Sequence, residues 1–154
     1  MNTNRPSSFW VITVVSVLWL IFMFLGQVMS YIDYDFTVSL GLQESRDAVT
    51  GIGVAMNKGF GVADTIVYIP LIIIGLVGMW LKRTWGLFAM AGAFAVTMYF
   101  PVVCLSMLFF ARGTPGFNFT RFVPYTIFLT IVALYGLWGL WYLYSRRELL
   151  THKE

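Results

Sequence analysis

Charge, cysteine and histidine are all scarce in this chain, and each shortage argues against a class of site. Of the 154 residues, 11% are charged, one is a cysteine and one is a histidine. The single cysteine, Cys104, cannot form a disulfide within the chain, and no Cys/His spacing resembles a metal site. The histidine, His152, lies in a charged tail, where a solvated side chain is expected. The sequence therefore predicts neither a metal nor a cofactor.

The basic residues are too dispersed to bind nucleic acid. The formal net charge is +3, but the ten Lys and Arg residues stand in ones and twos beside apolar segments. Binding to a phosphate backbone needs a basic face of some size, and the sequence has none. A nucleophile, a base and an orienting group cannot be placed together either, so an enzyme is the least favoured class of function.

Apolar residues, by contrast, exceed what a soluble domain of this length can bury. Hydrophobic residues make up 59% of the chain and aromatic residues 18%. Burial of each methylene group away from water is worth about 0.8 kcal/mol, and a bilayer provides that burial without a large core. The composition therefore predicts a multi-pass protein of the cell membrane, with the lipid bilayer as its solvent.

Four stretches are long enough to cross about 30 Å of hydrocarbon as helices that rise about 1.5 Å per residue. They lie at residues 9–32, 61–81, 84–111 and 122–145, and an outer loop at 33–60 joins the first two. The connection between the second and third is so short that these helices must form an antiparallel hairpin. The predicted fold is an all-α integral membrane protein, a single domain that forms an antiparallel bundle of four transmembrane helices.

Positive charges near the helix ends predict the orientation of the bundle. With the N-terminus inside, six Lys and Arg residues fall on the cytoplasmic side and four on the outer side. The cytoplasmic charges crowd the helix ends as the pairs Lys82-Arg83 and Arg146-Arg147, where the rule has most force. Both termini are therefore predicted to be cytoplasmic, and the 33–60 loop is predicted to lie outside.

Polar side chains within the spans are costly in hydrocarbon, so their depth is informative. In this orientation they gather in the outer half of the bundle. Gln27 and Asp33 belong to the outer part of the first helix. Asp64 and Tyr68 belong to the outer part of the second, and Tyr99 to the third. The one-sided distribution predicts a pocket that opens outward, with these five residues as its ligand contacts.

Asp64 has two interpretations from the sequence. The second helix spans the bilayer comfortably only if it begins near Gly61, which places Asp64 in the first turn. There the carboxylate would accept from free N–H groups and cap the helix. Alternatively, Asp64 is a site residue one helical turn from Tyr68, paired with a donor such as Tyr68, Gln27 or Tyr99.

Three short motifs carry a resemblance to a known family. They are Asp33 at the start of the outer loop, Asp64 six residues before Pro70, and Thr97-Met98 leading to Pro101. In these points the chain resembles the four-helix EXPERA group, which includes the emopamil-binding sterol isomerases. The resemblance implies an amphipathic amine or a sterol-like ligand held among the helices against a buried acid. The isomerases rely on histidine and glutamate for proton transfer, and both are missing from every predicted span, so isomerase chemistry is not expected.

Two functions from different classes follow. The favoured prediction is a non-catalytic protein that binds a lipid-like or cationic amphipathic molecule, with Asp64 supplying charge and aromatic walls supplying contact. The alternative is a subunit or assembly partner of a larger membrane complex, a homo-oligomer, or a channel or transporter component. Its basis is the recurrence of small residues that suit close helix packing in lipid. They are Gly75, Gly78, Gly86, Ala89, Ala93, Gly136 and Gly139.

Overall fold

The computed structural model describes residues 5–115, 119 and 121–150, and within them the ordered elements are all helical. The charged tail with His152 lies outside the described residues. Two short π-helical turns, Phe24–Val28 and Asp64–Tyr68, interrupt the α-helices. The α-helices are α1 (Ser7–Met23), α2 (Met29–Ile32), α3 (Tyr34–Ser39), α4 (Arg46–Ala63), α5 (Ile69–Trp80), α6 (Thr84–Phe110) and α7 (Phe122–Leu150).

Four helical stretches are long and apolar enough to cross a membrane. They are span 1 (Ser7–Ile32), span 2 (Arg46–Trp80), span 3 (Thr84–Phe110) and span 4 (Phe122–Glu148). Large apolar side chains cover their outer surfaces; Leu18, Phe88 and Ile131, for example, are all exposed. Water solvates such an apolar surface poorly, whereas the hydrocarbon chains of lipid solvate it well. The predicted all-helical class with four spans is confirmed.

The predicted start of the second helix is wrong. The helix begins at Arg46 rather than near Gly61, so much of the supposed 33–60 loop is helical. Val49 and Val54 explain this, because they bury their side chains against Tyr34 of the short helix α3. That packing outweighs the low helix propensity of the glycines in this segment. Span 2 has a break at Thr50, and the 30 residues that follow it, 51–80, reach about 45 Å, so the helix extends well past one hydrocarbon thickness.

Glycines allow the spans to pack closely. Gly78 of α5 and Gly86 of α6 lie backbone to backbone, so a β-carbon on either would collide with the other. Gly75 lies against the backbone of Met90 in the same way, and Gly136 of α7 against that of Met98. The small-residue faces that suggested a partner chain are therefore occupied largely by packing within the chain.

Contacts between distant residues define the two ends of the bundle. At one end the Arg5 guanidinium donates to the Trp80 carbonyl at 2.8 Å and lies over the rings of Phe9 and Trp80. At the other end the Arg121 guanidinium donates to the Gly41 carbonyl at 3.4 Å. We call the first the turn end, since it holds the connection between spans 2 and 3. We call the second the connector end, since it holds residues 33–45, 111–115, 119 and 121.

Candidate functional site

The two π turns face each other between spans 1 and 2, and each contains residues that the sequence predicts for the site. Gln27 lies in the turn Phe24–Val28, and Asp64 and Tyr68 lie in the turn Asp64–Tyr68. The second turn directly precedes Pro70, which has no N–H to donate and whose ring would crowd an ordinary α-helical carbonyl four residues earlier. A wider π turn relieves that crowding, and such turns occur frequently at functional sites.

Spans 1 and 2 touch at these turns through a glycine. Gly61 lies directly against the carbonyl oxygen of Gln27 and the hydroxyl of Ser30, with no room for a β-carbon. The π turn also leaves carbonyls of span 1 to find other donors. The Ser30 hydroxyl donates to the Gln27 carbonyl at 2.7 Å, and the Gln43 amide donates to the Gly26 carbonyl at 3.2 Å. The irregular backbone is therefore hydrogen-bonded at both carbonyls.

Beside the π turns lies a cavity of about 1070 Å³ at the connector end, which we call the outer cavity. All four spans contribute to its wall, together with residues 41–44. It reaches the surface beside Ile52 and Phe110, which are 76% and 79% exposed. Most of the wall is apolar, and the polar side chains are few. They include Gln27, Gln43, Glu44, Asn57, Asp64, Tyr68, Thr97, Cys104, Arg121 and Tyr125.

Asp64 is the most unusual residue of this wall. Its side chain is 7% exposed, and its buried Oδ2 atom has no hydrogen-bond partner among the described residues. The helix runs from Gly51, after the break at Thr50, through residue 64, so the interpretation of Asp64 as the cap of a helix that begins near Gly61 is wrong. An unpaired buried carboxyl oxygen is costly, with a penalty of about 1–3 kcal/mol or more.

None of the expected donors pairs with Asp64. The Tyr68 hydroxyl bonds instead to the hydroxyl of Thr97, which itself donates to the Ala93 carbonyl at 2.8 Å. The buried Oε1 atom of Gln27 likewise has no partner among the described residues. Two acceptor atoms of one cavity wall are thus left without donors among the described residues. The predicted pairing of Asp64 with a donor is absent from the described part of that wall.

Three of the five predicted site residues meet at the cavity, and two do not. Gln27, Asp64 and Tyr68 line it. Asp33 is exposed, and its carboxylate accepts from the Phe36 N–H at 3.0 Å, so it caps helix α3 instead. Tyr99 is 68% exposed on the outer surface of α6. The prediction that these two contact a ligand in this cavity is therefore not supported.

Sequence reasoning missed the polar residues that α4 and its approach bring to the wall. The sequence predicts a loop for Gln43, Glu44 and Asn57, and a loop prediction gives no side-chain direction. One signal was present, because Asn57 and Gly61 precede Asp64 by seven and three residues and so share its helical face. Extending the Asp64 face backwards would have found Asn57.

Tyr34 anchors helix α3 against residues 41–44, which line the outer cavity. Its hydroxyl donates to the Glu44 carbonyl at 2.9 Å and accepts from the Asn57 amide at 3.1 Å. Burial raises the pKa of Tyr34 above its ordinary value, and the Asn57 hydrogen bond offsets this only in part. The side chain therefore stays neutral and keeps its donor at physiological pH. This fixes residues 41–44 as one wall of the cavity.

The described residues offer no metal site, because no three His, Cys, Asp or Glu side chains among them are grouped closely enough to share an ion. No protein-family model, curated protein or solved structure matches the chain. The resemblance to the EXPERA group stays a prediction that depends on its three short motifs.

Proposed function

We propose that this chain is a multi-pass membrane protein whose four helices run antiparallel, with both termini on the cytoplasmic side. The contacts of Arg5 with Trp80 and of Gly61 with Gln27 support the antiparallel course of spans 1 and 2. The pair Lys82-Arg83 at the turn end supports the orientation. The connector end, with the outer cavity, then faces away from the cytosol.

In this orientation the outer cavity binds a lipid-like amphipathic molecule that carries a positive charge. The observation behind the proposal is the buried, unpartnered Oδ2 atom of Asp64 in the wall of a large cavity. A ligand ammonium or other cationic donor would supply the missing partner and offset the cost of the buried carboxyl group. The unpartnered Oε1 atom of Gln27 in the same wall favours a donor as well.

Aromatic side chains line the rest of the cavity and suit the apolar part of such a ligand. Trp19 stacks on Phe22 with 5.1 Å between ring centroids, and Phe128 lies 6.2 Å from Trp19. Phe60 and Phe100 meet edge to face at 5.3 Å on another part of the wall. Ring faces attract cations and bury hydrocarbon, so the wall matches both halves of a cationic amphiphile.

The proposed role is binding without catalysis. The described cavity wall contains no histidine, and its cysteine, Cys104, has no adjacent base of the kind that activates a thiol nucleophile. An apolar pocket with a few converging polar groups is the usual form of a small-molecule site.

Cys104 allows a direct test, because it is the only cysteine of the chain and lines the cavity. The rate of its alkylation by N-ethylmaleimide would be measured in lipid nanodiscs with and without dodecyldimethylammonium, a protonated tertiary amine whose single N–H can donate to the carboxylate. The wild-type protein is expected to be protected, with alkylation slowed at least severalfold. Asp64→Asn is expected to remove the protection, because the amide keeps the shape of the carboxylate but lacks its charge.

Asp33→Asn is the matched control. It makes the same chemical change at an exposed acid outside the cavity, and asparagine serves equally well as a helix cap. Protection should therefore persist in this variant. Equal protection in Asp64→Asn and wild type, or no protection in either, would overturn the proposal.

A further inference from the structure

A second cavity lies beneath the outer one. It has a volume of about 290 Å³ and extends from the Asp64 cavity towards the turn end, and we call it the inner cavity. The two cavities share four wall residues, Trp19, Tyr68, Thr97 and Val132, so they adjoin each other. Together they form one path that begins at Asp64 and leads into the middle of the bundle.

The inner cavity is lined almost wholly by apolar surface. Its wall includes Ile72, Met90, Ala93 and Phe94, which are all buried, and Ile131, which is 61% exposed. A few polar groups belong to this wall, since Ser16, Trp19 and Tyr135 line it, and Trp19 Nε1 and the Tyr135 hydroxyl have no partner among the described residues. A water molecule bonded to these groups would still leave most of the cavity unfilled. If the cavity were empty, the atoms that line it would lose dispersion contacts on that side. Hydrocarbon is the filling that suits it.

The boundary between the cavities is a hydrogen-bonded pair. Thr97 donates its only hydroxyl proton to the Ala93 carbonyl, so the Tyr68 hydroxyl must be the donor to Thr97. Both hydroxyl groups are thereby satisfied by each other and by the backbone, and neither needs to turn into the inner cavity. This boundary consists of side chains, and an unbranched chain needs a narrower passage between them than a fused ring system does.

We propose that the inner cavity holds the hydrocarbon tail of the amphiphile whose charged head lies at Asp64. This inference rests on the proposed function and narrows it, because the ligand becomes a single-chain amphiphile with a preferred chain length. The volume of about 290 Å³ and the buried wall at Met90 and Phe94 limit the length of tail that fits inside, whereas a head bound in the outer cavity alone would accept tails of any length.

Competition within a homologous series tests this directly. Purified protein would be offered an equimolar mixture of n-alkyldimethylammonium salts with even chains of about eight to eighteen carbons, and the bound species would be identified by native mass spectrometry. Wild type is expected to retain a narrow range of lengths. Ala93→Leu adds about three carbons inside the inner cavity and should shorten the preferred tail by about as many.

Ala95→Leu is the matched control, because it makes the same change on the same helix at an exposed position outside both cavities. Its length profile should equal that of wild type. Ser16→Leu fills the inner cavity from span 1 and provides a second test should Ala93→Leu fail to fold. It should also shift the profile to shorter tails.

The outcomes separate this inference from the function on which it rests. Binding without length preference, or a profile unchanged in both Ala93→Leu and Ser16→Leu, would overturn the inner cavity as a tail site while leaving the Asp64 site intact. If the wild-type protein bound none of these compounds, the result would instead contradict the proposed function itself. A shift to shorter tails in either cavity variant, absent from Ala95→Leu, supports the inference.

Discussion

Gly61 and the carbonyl oxygen of Gln27 are in direct contact, and the β-carbon of any other residue at position 61 would collide with that oxygen. The contact joins the two π turns and so sets where Asp64 and Gln27 stand relative to each other. The contact therefore constrains the geometry of the outer cavity.

Gly61→Ala is therefore expected to destabilise the protein by about 1–3 kcal/mol, because the added methyl group must push spans 1 and 2 apart. Gly59→Ala is the control, since Gly59 lies in the same helix with nothing near its missing β-carbon. There the substitution should be neutral or stabilise the helix by about 0.5–1 kcal/mol. Thermal unfolding in nanodiscs measures both, and equal effects of the two substitutions would contradict the contact.

Asp64→Leu is expected to stabilise the ligand-free protein. It replaces a buried group that lacks a partner by an apolar side chain of similar size, for which a gain of about 1–3 kcal/mol is typical. Thr97→Val is the contrasting variant. Thr97 is as buried as Asp64, but its hydroxyl is hydrogen-bonded to Tyr68 and to the Ala93 carbonyl. The substitution should destabilise the protein by about 1 kcal/mol or more.

Chemical unfolding of both variants after removal of bound ligand provides the measurement. A loss of stability in Asp64→Leu would mean that the carboxylate serves the fold and not a ligand. The pattern expected of a binding residue is a gain of stability together with loss of binding.

Thr50 holds a strained backbone conformation, with φ of 63° and ψ of 175°, at a break inside helix α4. This region is almost reserved for glycine, and the strain costs about 1–3 kcal/mol. Thr50→Gly should therefore raise the unfolding midpoint, after allowing about 0.5–1 kcal/mol for the greater freedom of glycine in the unfolded chain. Thr50→Ala keeps a β-carbon and should not give this gain. Equal midpoints for the two variants would argue against the strained geometry.

The proposed orientation predicts which positions a membrane-impermeant maleimide reaches in intact cells. In a Cys104→Ser background, Asp47→Cys at the connector end should react from outside, because Asp47 is exposed in the first turn of α4. Arg83→Cys at the turn end is equally exposed in the structure and should react only after the cells are lysed. The reverse pattern would place the outer cavity on the cytoplasmic side.

The spans and part of the site could be predicted from the sequence because both depend on depth along a helix. Hydrocarbon thickness fixes the length of an apolar stretch, and Gln27, Asp64 and Tyr68 share a depth and a helical phase that brings them to one wall. Tyr99 lies at a similar depth, but on a different side of its helix from the cavity. It follows Thr97 by two residues, roughly 200° around the helix, and so faces outward while Thr97 faces the cavity.

Other features were not predictable because they depend on tertiary contacts. The phase of α6 could not be read, since this helix is apolar on every side. The glycines and charges of residues 46–60 favour a loop, whereas the packing of Val49 and Val54 against Tyr34 favours a helix. The π turn Asp64–Tyr68 lies between the close contact at Gly61 and Pro70, and the contact at Gly61 is with another span.

The central claim is that a cationic amphiphile occupies the cavity at Asp64. Mass spectrometry of molecules that co-purify with gently solubilised protein tests it most directly, with wild type, Asp64→Asn and Asp33→Asn prepared in parallel. The account predicts a positively charged single-chain molecule in wild type and Asp33→Asn that is absent from Asp64→Asn. Equal amounts of the same molecule in all three preparations, or only uncharged bilayer lipid in each, would contradict it.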